Sequence, residues 1–355
     1  AVYLPGPAAS GFPTVRRAVA QDPAARAFLA ALGLPEPDLV AEVLELILPR
    51  YRRLEASFGQ ARGLDLNLAP ELNLAPELNL AQHDADLGVV ISALDEAAGS
   101  RREELLGQLR ETAFLIAENA ATAGQRLMPP PALYQRSKDL EVYFDGNPDA
   151  WFAADLYGPW LVQLRGMGVR QEVAIRARTP NEAGYVLVTV EFGRNERGLD
   201  GFDPAAEIDG LDFALSHPGH ARSEYVWNVL LVPNRRLISG VVERSVLASF
   251  SDASRETARS AIALAAQSHA WLPGRDGTFR PPGELSLDDL PATYARDEGL
   301  AAGLGMLRPV VTEAAARLGI APEVLWGLSA HPDLVELVER ELSHRSTPES
   351  NGSDT

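Results

Sequence analysis

The chain has 355 residues, of which 49 are acidic and 32 basic, so its formal charge is −17 and its pI is about 4.8. This excess of negative charge argues against nucleic acid as a partner. The sequence has no cysteine, which excludes thiol nucleophiles, disulfides and thiolate metal sites. Its single lysine, Lys138, follows a serine in a polar run, which excludes a P-loop and leaves Schiff-base chemistry without a desolvated amine.

The N-terminal part of the chain predicts a helical segment over residues 1–63. Apolar residues recur at helical spacing over 23–34 after Asp22 and again from residue 39 after Asp38, and both aspartates are good N-caps. The chain lacks an initiator methionine, so we expect it to be processed or to be a piece of a longer protein. No apolar run is long enough for a membrane span, which predicts a cytoplasmic protein without a membrane partner.

A hexad repeat occupies residues 66–82, within a predicted linker over 64–82. Two copies read Leu-Asn-Leu-Ala-Pro-Glu and a third reads Leu-Asn-Leu-Ala-Gln-His. Prolines six residues apart exclude a regular helix. We interpret the repeat as an insertion in a surface loop; the alternative is a short solenoid or a partner-binding strip.

Residues 83–200 predict a mixed α/β unit. Helical patterns over 84–98 and 101–110 are followed by a hairpin, formed by 113–116 and 126–128, that ends at three prolines. Strands are expected over 173–178 and 185–192. A cluster of aromatic side chains between the hairpin and these strands is typical of a domain core: Trp151, Phe152, Tyr157 and Trp160.

Residues 201–342 predict a second unit that is mostly helical. Helices are expected over 205–216, 223–231 and 254–268, with an extended segment over 237–242. Short helices over 310–318, 322–328 and 333–342 precede a polar tail, 343–355, that we expect to be disordered. The fold class is therefore α+β: dominated by helices, with small hairpins or a sheet in the middle and a short-helix C-terminal section.

A degenerate repeat links the two predicted units. Ala113–Phe114–Leu115, followed by a glycine, three prolines and Leu133, reappears as Ala270–Trp271–Leu272, a glycine, two prolines and Leu285. Each copy is followed by an apolar helix that closes on a glycine-rich turn. Residues 1–5 together with 31–34 suggest a third, truncated copy. Repetition of a small hairpin with helices indicates a scaffold rather than a single catalytic pocket.

Motifs that carry chemistry are weak, so no catalytic, cofactor or metal residue is assigned. The segment Gly327–His331 only approaches a nucleophile elbow, and His217 and His220 lie in a turn with no third ligand. The aspartates at 200, 203, 209 and 212 do not match a calcium loop. Glu118–Asn119–Ala120 resembles part of the Asn-Ala element of GHKL ATPases, but Leu115 stands where the glutamate belongs and no Asp-x-Gly-x-Gly follows.

Several segments together resemble the region that follows the ATPase domain in bacterial sacsin-like proteins. They span roughly residues 1–320, and none of them is catalytic. These segments are Leu140–Pro148, Phe202–Leu211 with Tyr225–Asn228, Leu237–Glu243, Ala270–Pro273 and Glu284–Pro291.

The resemblance implies a non-catalytic scaffold and partner-binding region with a chaperone-like role in protein quality control or defence. ATP and Mg²⁺ would bind in an upstream GHKL-type domain, with no cofactor on this chain. The partners would be that domain and client proteins, and a homo-oligomer is possible. Arg126 or Arg136 would be the analogue of the middle-domain arginine that completes the ATP site in related chaperones. The absent ATPase motifs and the hexad insertion depart from the family pattern.

The residues alone also leave a different class open. A hydrolase or nuclease could assemble an acidic metal site from distant carboxylates, for instance among the aspartates between residues 200 and 212.

Overall fold

A computed structural model describes residues 4, 15–34, 38–61, 79–122, 124–191, 194–245 and 254–307. The chain divides into two compact units, Ala1–Ala174 (unit 1) and Ile175–Thr355 (unit 2). Both mix helices with small antiparallel sheets, which confirms the predicted α+β class. In the part of the chain described, no helix is long and apolar enough to cross a membrane. Residues 62–78, which hold most of the hexad repeat, and the predicted C-terminal helices and tail lie outside the described residues.

Unit 1 begins with helices and continues into a three-stranded sheet. The predicted N-caps are confirmed, because Asp22 accepts a hydrogen bond from the Ala24 amide and Asp38 from the Ala41 amide. A π-helical segment, Val43–Ile47, precedes α4, in which Pro49 lacks the amide that a regular helix would use. The helices are α1 (Arg17–Ala20), α2 (Pro23–Ala31), α3 (Leu39–Glu42), α4 (Leu48–Ala61), α5 (Leu80–Glu96), α6 (Gly99–Glu111), α7 (Lys138–Phe144) and α8 (Leu161–Met167).

The predicted hairpin of unit 1 is confirmed. Strands β1 (Leu115–Asn119) and β2 (Gln125–Met128) pair antiparallel, and β3 (Trp151–Ala153) adds to β1, giving the order β2-β1-β3. One hydrophobic core joins the helices to this sheet. Tyr157 of the aromatic cluster is buried in it, Trp151 and Trp160 pack against it half-buried, and Phe152 is buried beside Phe144.

Unit 2 contains two small strand pairs, a four-stranded sheet and short helices. Its strands are β4 (Ile175–Arg176), β5 (Val186–Glu191), β6 (Arg194–Gly198), β7 (Glu207–Ile208), β8 (Ser239–Ser245), β9 (Ser254–Arg259), β10 (Leu272–Pro273) and β11 (Phe279–Arg280). Its helices are α9 (Leu211–Ser216), α10 (His220–Tyr225), α11 (Ala261–Ser268) and α12 (Glu298–Gly303). A π-helical segment, Val226–Leu231, continues α10, so the helix predicted over 223–231 is present.

Two predicted helices of unit 2 are partly wrong. The first half of the 205–216 prediction contains strand β7, and Gly210 takes a left-handed conformation (φ 74°) that starts α9 only at Leu211. The first half of the 254–268 prediction is strand β9, which pairs along its length with β8. Ser260 then caps α11 through the Ala263 amide. Sheet pairing overrides the helical pattern in β9, where five of the six side chains are charged or hydroxylic.

The degenerate repeat corresponds to a shared three-dimensional module. In each unit a helix, α6 or α11, leads into a hairpin, and Leu115 pairs with Met128 as Leu272 pairs with Arg280. A single 3₁₀ turn follows each hairpin, at Pro130–Ala132 and Pro282–Glu284.

The closing helices α8 and α12 return to the same place in each module. The Arg170 amide donates to the Leu133 carbonyl (2.9 Å), and the Leu307 amide donates to the Leu285 carbonyl (2.8 Å). Gly168 and Gly305 both have positive φ at the helix ends. The same Schellman bonding ends α2 at Gly33, but many helices end this way, so the third copy stays a prediction.

Candidate functional site

Arg136 lies at the centre of a cluster of charges on unit 1. Its three guanidinium nitrogens approach three carboxylates: Nη2 lies 2.6 Å from Glu118 Oε2, Nη1 lies 3.0 Å from Glu141 Oε1, and Nε lies 3.1 Å from Asp155 Oδ1. Strand β1 supplies Glu118, helix α7 supplies Glu141, and the 3₁₀ segment Asp155–Trp160 supplies Asp155. The cluster therefore joins three elements that are separated in the chain by β2 and β3.

The charges around Arg136 stabilise its protonated form. Partial burial works against the charge, but the hydrogen bond with Glu141 and the charges of Asp155 and Glu118 outweigh it, so the pKa of Arg136 is raised. Its guanidinium carbon also lies 5.1 Å from the centre of the Phe152 ring. To reach a nucleotide phosphate, Arg136 would have to leave these partners.

Arg126, the other arginine singled out by the sequence, stacks on an aromatic ring. It lies on β2 opposite Ala117, and its guanidinium carbon is 3.9 Å from the centre of the Trp151 ring on β3. Both side chains are half-buried. A cation–π contact of this kind contributes about 0.5–2 kcal/mol, which is a structural role within the sheet.

Glu118–Asn119–Ala120 lies at the end of a strand rather than on a helix. Asn119 Nδ2 donates to the Pro148 and Ala150 carbonyls, and Asn119 Oδ1 accepts from the Ala121 and Thr122 amides. This asparagine therefore shapes the turn between β1 and β2. The partial likeness to the GHKL element does not extend to its helical geometry.

The aspartates of unit 2 are also engaged in local structure. Asp203 is buried, and its carboxylate accepts from the Arg178 and Ala205 amides. Asp209 pairs with Arg176 at 2.6 Å, and Asp212 is exposed in the first turn of α9. Among the residues described, no group of three histidine, aspartate or glutamate side chains is placed to hold a metal ion.

The remaining sequence candidates lie apart on the surface of their units. His217 stacks on Phe213 with ring centres 4.2 Å apart, whereas His220 lies against Phe279 at 5.1 Å. Lys138 is the exposed first residue of α7. Residues 327–331 lie outside the described part of the chain.

A buried polar chain in unit 1 passes through His83. The imidazole is 1% exposed, and it lies between two tyrosines: Nδ1 is 2.7 Å from Tyr51 Oη, and Nε2 is 2.7 Å from Tyr157 Oη. Tyr51 also donates to Asp86 Oδ2 (3.2 Å), and the Ile116 amide donates to Tyr157 Oη (2.6 Å). We call these five residues the His83 chain.

The hydrogen bonds fix one tautomer of the neutral imidazole. Because Tyr51 donates its proton to Asp86, its oxygen must accept from Nδ1–H of His83. Nε2 is then an acceptor for the Tyr157 hydroxyl, which in turn accepts from the Ile116 amide. Every buried donor and acceptor of the His83 chain is satisfied only in this direction, because the opposite tautomer leaves the Tyr157 proton without an acceptor.

The His83 chain is not predicted from the sequence, although one feature of the sequence indicates it. His83 and Asp86 stand three residues apart on the same helical face as Leu87 and Val90, so two polar groups occur where the pattern demands apolar ones. Buried polar side chains require partners, but Tyr51 and Tyr157 are distant in sequence. Their identity follows only from the packing of α4 and the 3₁₀ segment on α5.

No protein-family model matches the chain, and comparisons with curated proteins and with solved structures also give no match.

Proposed function

We propose that this chain is a non-catalytic scaffold and partner-binding region of a sacsin-like ATPase, with a chaperone-like role in protein quality control or defence. The observation that carries the proposal is the module used in both units, a hairpin between helices. Repeated supersecondary units serve as frameworks that present surfaces. Several chemistry-bearing side chains singled out by the sequence serve local structure: Asn119 and Asp203 bond to the backbone, and Arg136 and Asp209 form ion pairs.

In this proposal ATP and Mg²⁺ bind to an upstream domain, and unit 1 presents a charged surface to that partner. The Arg136 cluster combines one arginine with three carboxylates, so it carries a net negative charge. Asp155 is 77% exposed at its side chain and Glu141 is 46% exposed. These exposed carboxylates favour a partner surface with basic residues. Their contribution to binding that partner would weaken with added salt.

A client would meet an apolar strip on the four-stranded sheet of unit 2. Leu187 on β5 pairs in register with Arg197 on β6, and Arg197 pairs with Glu243 on β8. Because side chains alternate along a strand, Val241 shares this face. Leu187 is 57% exposed and Val241 is 39% exposed. Exposed apolar side chains framed by charged ones are a common feature of protein-binding surfaces.

Calorimetry with Mg-ATP tests the non-catalytic part of the proposal. The chain alone is expected to give no binding heat, because its sequence contains neither a P-loop nor the Asp-x-Gly-x-Gly element of GHKL ATPases. Saturable binding in the micromolar range would overturn this part. A nucleotide that binds only weakly and is displaced by salt would count as charge attraction to arginines.

An aggregation assay tests the client-binding part. Heat-denatured citrate synthase serves as the client, and light scattering follows its aggregation with increasing amounts of the full chain. The parent chain is expected to suppress aggregation, and a variant with both Leu187→Asp and Val241→Asp should lose most of the effect. Val162→Asp, at an apolar side chain of α8 that is 72% exposed, is the matched control. Absence of suppression by the parent, or equal loss in the control, would contradict a client surface on this sheet.

A further inference from the structure

The His83 chain connects three separate layers of unit 1. Tyr51 belongs to α4, His83 and Asp86 belong to α5, and Tyr157 belongs to the 3₁₀ segment that leads into α8. Tyr157 continues the connection to the Ile116 amide on β1. The helices and the hairpin are therefore joined by one continuous series of hydrogen bonds in addition to apolar packing.

We propose that the His83 chain is a pH-sensitive latch: protonation of His83 releases Tyr157 and thereby loosens the hairpin of unit 1 from helices α4 and α5. Nε2 of the neutral ring accepts the Tyr157 proton across 2.7 Å. When Nε2 acquires its own proton it can no longer accept, so the Tyr157 O–H loses its acceptor inside the core.

The surroundings of His83 determine the direction of the response. The groups that face it are Tyr51 from α4, Asp86 and Asp84 from its own helix, and Tyr157 from the 3₁₀ segment. The Asp86 carboxylate is already held by Arg50 (2.6 Å) and Gln82 (2.8 Å). Burial lowers the pKa of His83 more than the charges of Asp86 and Asp84 raise it.

The sign of the pH dependence follows from proton linkage. An unfolded or open chain exposes His83 with an ordinary pKa near 6.5, whereas the closed core holds it neutral to lower pH. Between these two values the open form binds more protons. The closed form is therefore favoured at neutral pH and loses stability as the pH falls below about 6.5.

Unit 2 provides an internal reference without this device. Its module contains Tyr294 at the place of Tyr157, since the two tyrosines precede Gly305 and Gly168 by the same number of residues. Pro273 stands at the hairpin position of Ile116 and has no amide proton. Ser223 Oγ in this core donates to the Trp271 carbonyl, and no imidazole is involved. Acid is therefore expected to act selectively on unit 1.

Amide exchange measured by NMR on the full chain tests the latch. Protection of the Ile116 amide, corrected for the intrinsic exchange rate, should fall by up to roughly tenfold for each pH unit below about 6.5. The Leu272 amide in the unit 2 hairpin should not follow this dependence. In His83→Gln, which carries no charge at any pH, the dependence at Ile116 should disappear.

A second measurement remains decisive if His83→Gln fails to fold. Nitrogen chemical shifts of histidine in the parent chain report both the tautomer and the titration of His83. The Nδ1–H tautomer and titration below the ordinary value of about 6.5 are expected. The Nε2–H tautomer, an ordinary titration curve, or a pH-independent protection of Ile116 would each overturn the latch. None of these results depends on client or ATP binding, so the latch can fail while the proposed function stands.

Discussion

In unit 1 the hydroxyl of Tyr157 bonds both to His83 of α5 and to the Ile116 amide of β1, whereas the equivalent hydroxyl of Tyr294 in unit 2 has neither an imidazole nor a backbone amide as partner among the described residues and only the Ser223 hydroxyl as a polar neighbour. Burial raises the pKa of both tyrosines, so both remain protonated. The tyrosine occupies the equivalent sequence position in each module, but only unit 1 supplies a histidine and a backbone amide to its hydroxyl. The tyrosine is therefore the shared element, and the connection to histidine and amide belongs to one copy.

A second difference concerns what the modules carry. Unit 2 inserts the hairpin β8–β9 ahead of α11 and pairs it with β5 and β6 into a four-stranded sheet. Arg244 of this sheet pairs with Glu196 (2.9 Å) and with Glu256, and Arg255 pairs with Glu243 (2.7 Å). Charged ladders of this kind discourage unwanted pairing between sheets while leaving a face exposed. The same hairpin module therefore carries a four-stranded sheet in unit 2 and a different set of elements in unit 1.

The largest effect is expected at the aromatic residue that opens each hairpin. Phe114 lies edge-on to Tyr51 with ring centres 6.2 Å apart, and the equivalent Trp271 lies 6.3 Å from Trp227. Each is 1% exposed. Phe114→Ala and Trp271→Ala should each lower the free energy of unfolding by about 3–5 kcal/mol, because each leaves a cavity in a packed core. Thermal and denaturant unfolding measure the change. A cost below about 1 kcal/mol at either position would show that Phe114 and Trp271 are not equivalent core residues.

The four-stranded sheet of unit 2 should not tolerate a larger residue at Gly198, where strand β6 lies against the Phe202 backbone. A Cβ added to Gly198 would lie 1.7 Å from the Phe202 carbonyl oxygen, which is a backbone atom. Gly198→Ala should therefore cost about 2–4 kcal/mol, since strand and backbone must separate. Gly88→Ala in α5 is the control, because no atom lies within 4 Å of its added Cβ. It should stabilise the chain by about 0.5–1 kcal/mol, and a similar loss in both variants would contradict this explanation.

Removing the hydroxyl of Tyr157 or of Tyr294 tests whether the equivalent tyrosines contribute differently to stability. Tyr157→Phe leaves the Ile116 amide and Nε2 of His83 without a partner, so it should cost about 1–3 kcal/mol. Tyr294→Phe removes a buried hydroxyl whose only polar neighbour is Ser223, which already donates to the Trp271 carbonyl, so the change should be near zero or about 1 kcal/mol at most. Melting temperatures of both variants test the pair. Equal losses would show that the two hydroxyls have similar environments.

The smallest effect is expected at the Arg136 cluster. Arg136→Met preserves the length of the side chain but leaves Glu118, Glu141 and Asp155 facing one another. Because these groups are partly exposed and screened by solvent, the loss should be about 1 kcal/mol and should shrink with added salt. Arg165→Met, on the exposed side of α8, serves as a control. An unchanged stability at low salt would assign no structural role to the cluster.

The repetition of the hairpin module is visible in the sequence alone. Each copy carries the same local markers: an aromatic residue before the first strand, a glycine in the turn and prolines after the second strand. These markers depend only on neighbouring residues, and the structure confirms positive φ at Gly168 and Gly305, where the closing helices end. Prediction from the sequence fails where pairing between distant strands decides the secondary structure. Strand β9 had a helical pattern, and only its partner β8 fixed it as a strand.

The candidate sites divide in the same way. The charges of Arg136 and Asp203 were conspicuous in the sequence, but their partners were not: three carboxylates from three elements in one case, two backbone amides in the other. His83 gave a weak signal as a polar residue on an apolar helical face.

By itself the sequence determined the α+β class, the helix caps at Asp22 and Asp38, and the repetition of a hairpin with helices, because these depend on interactions within a few residues. Tertiary structure alone decided that His83 meets Tyr51 and Tyr157 and that Pro273 leaves Tyr294 without the amide that Tyr157 has. Buried hydrogen bonds join residues far apart in the chain, and their partners are fixed only when the layers pack.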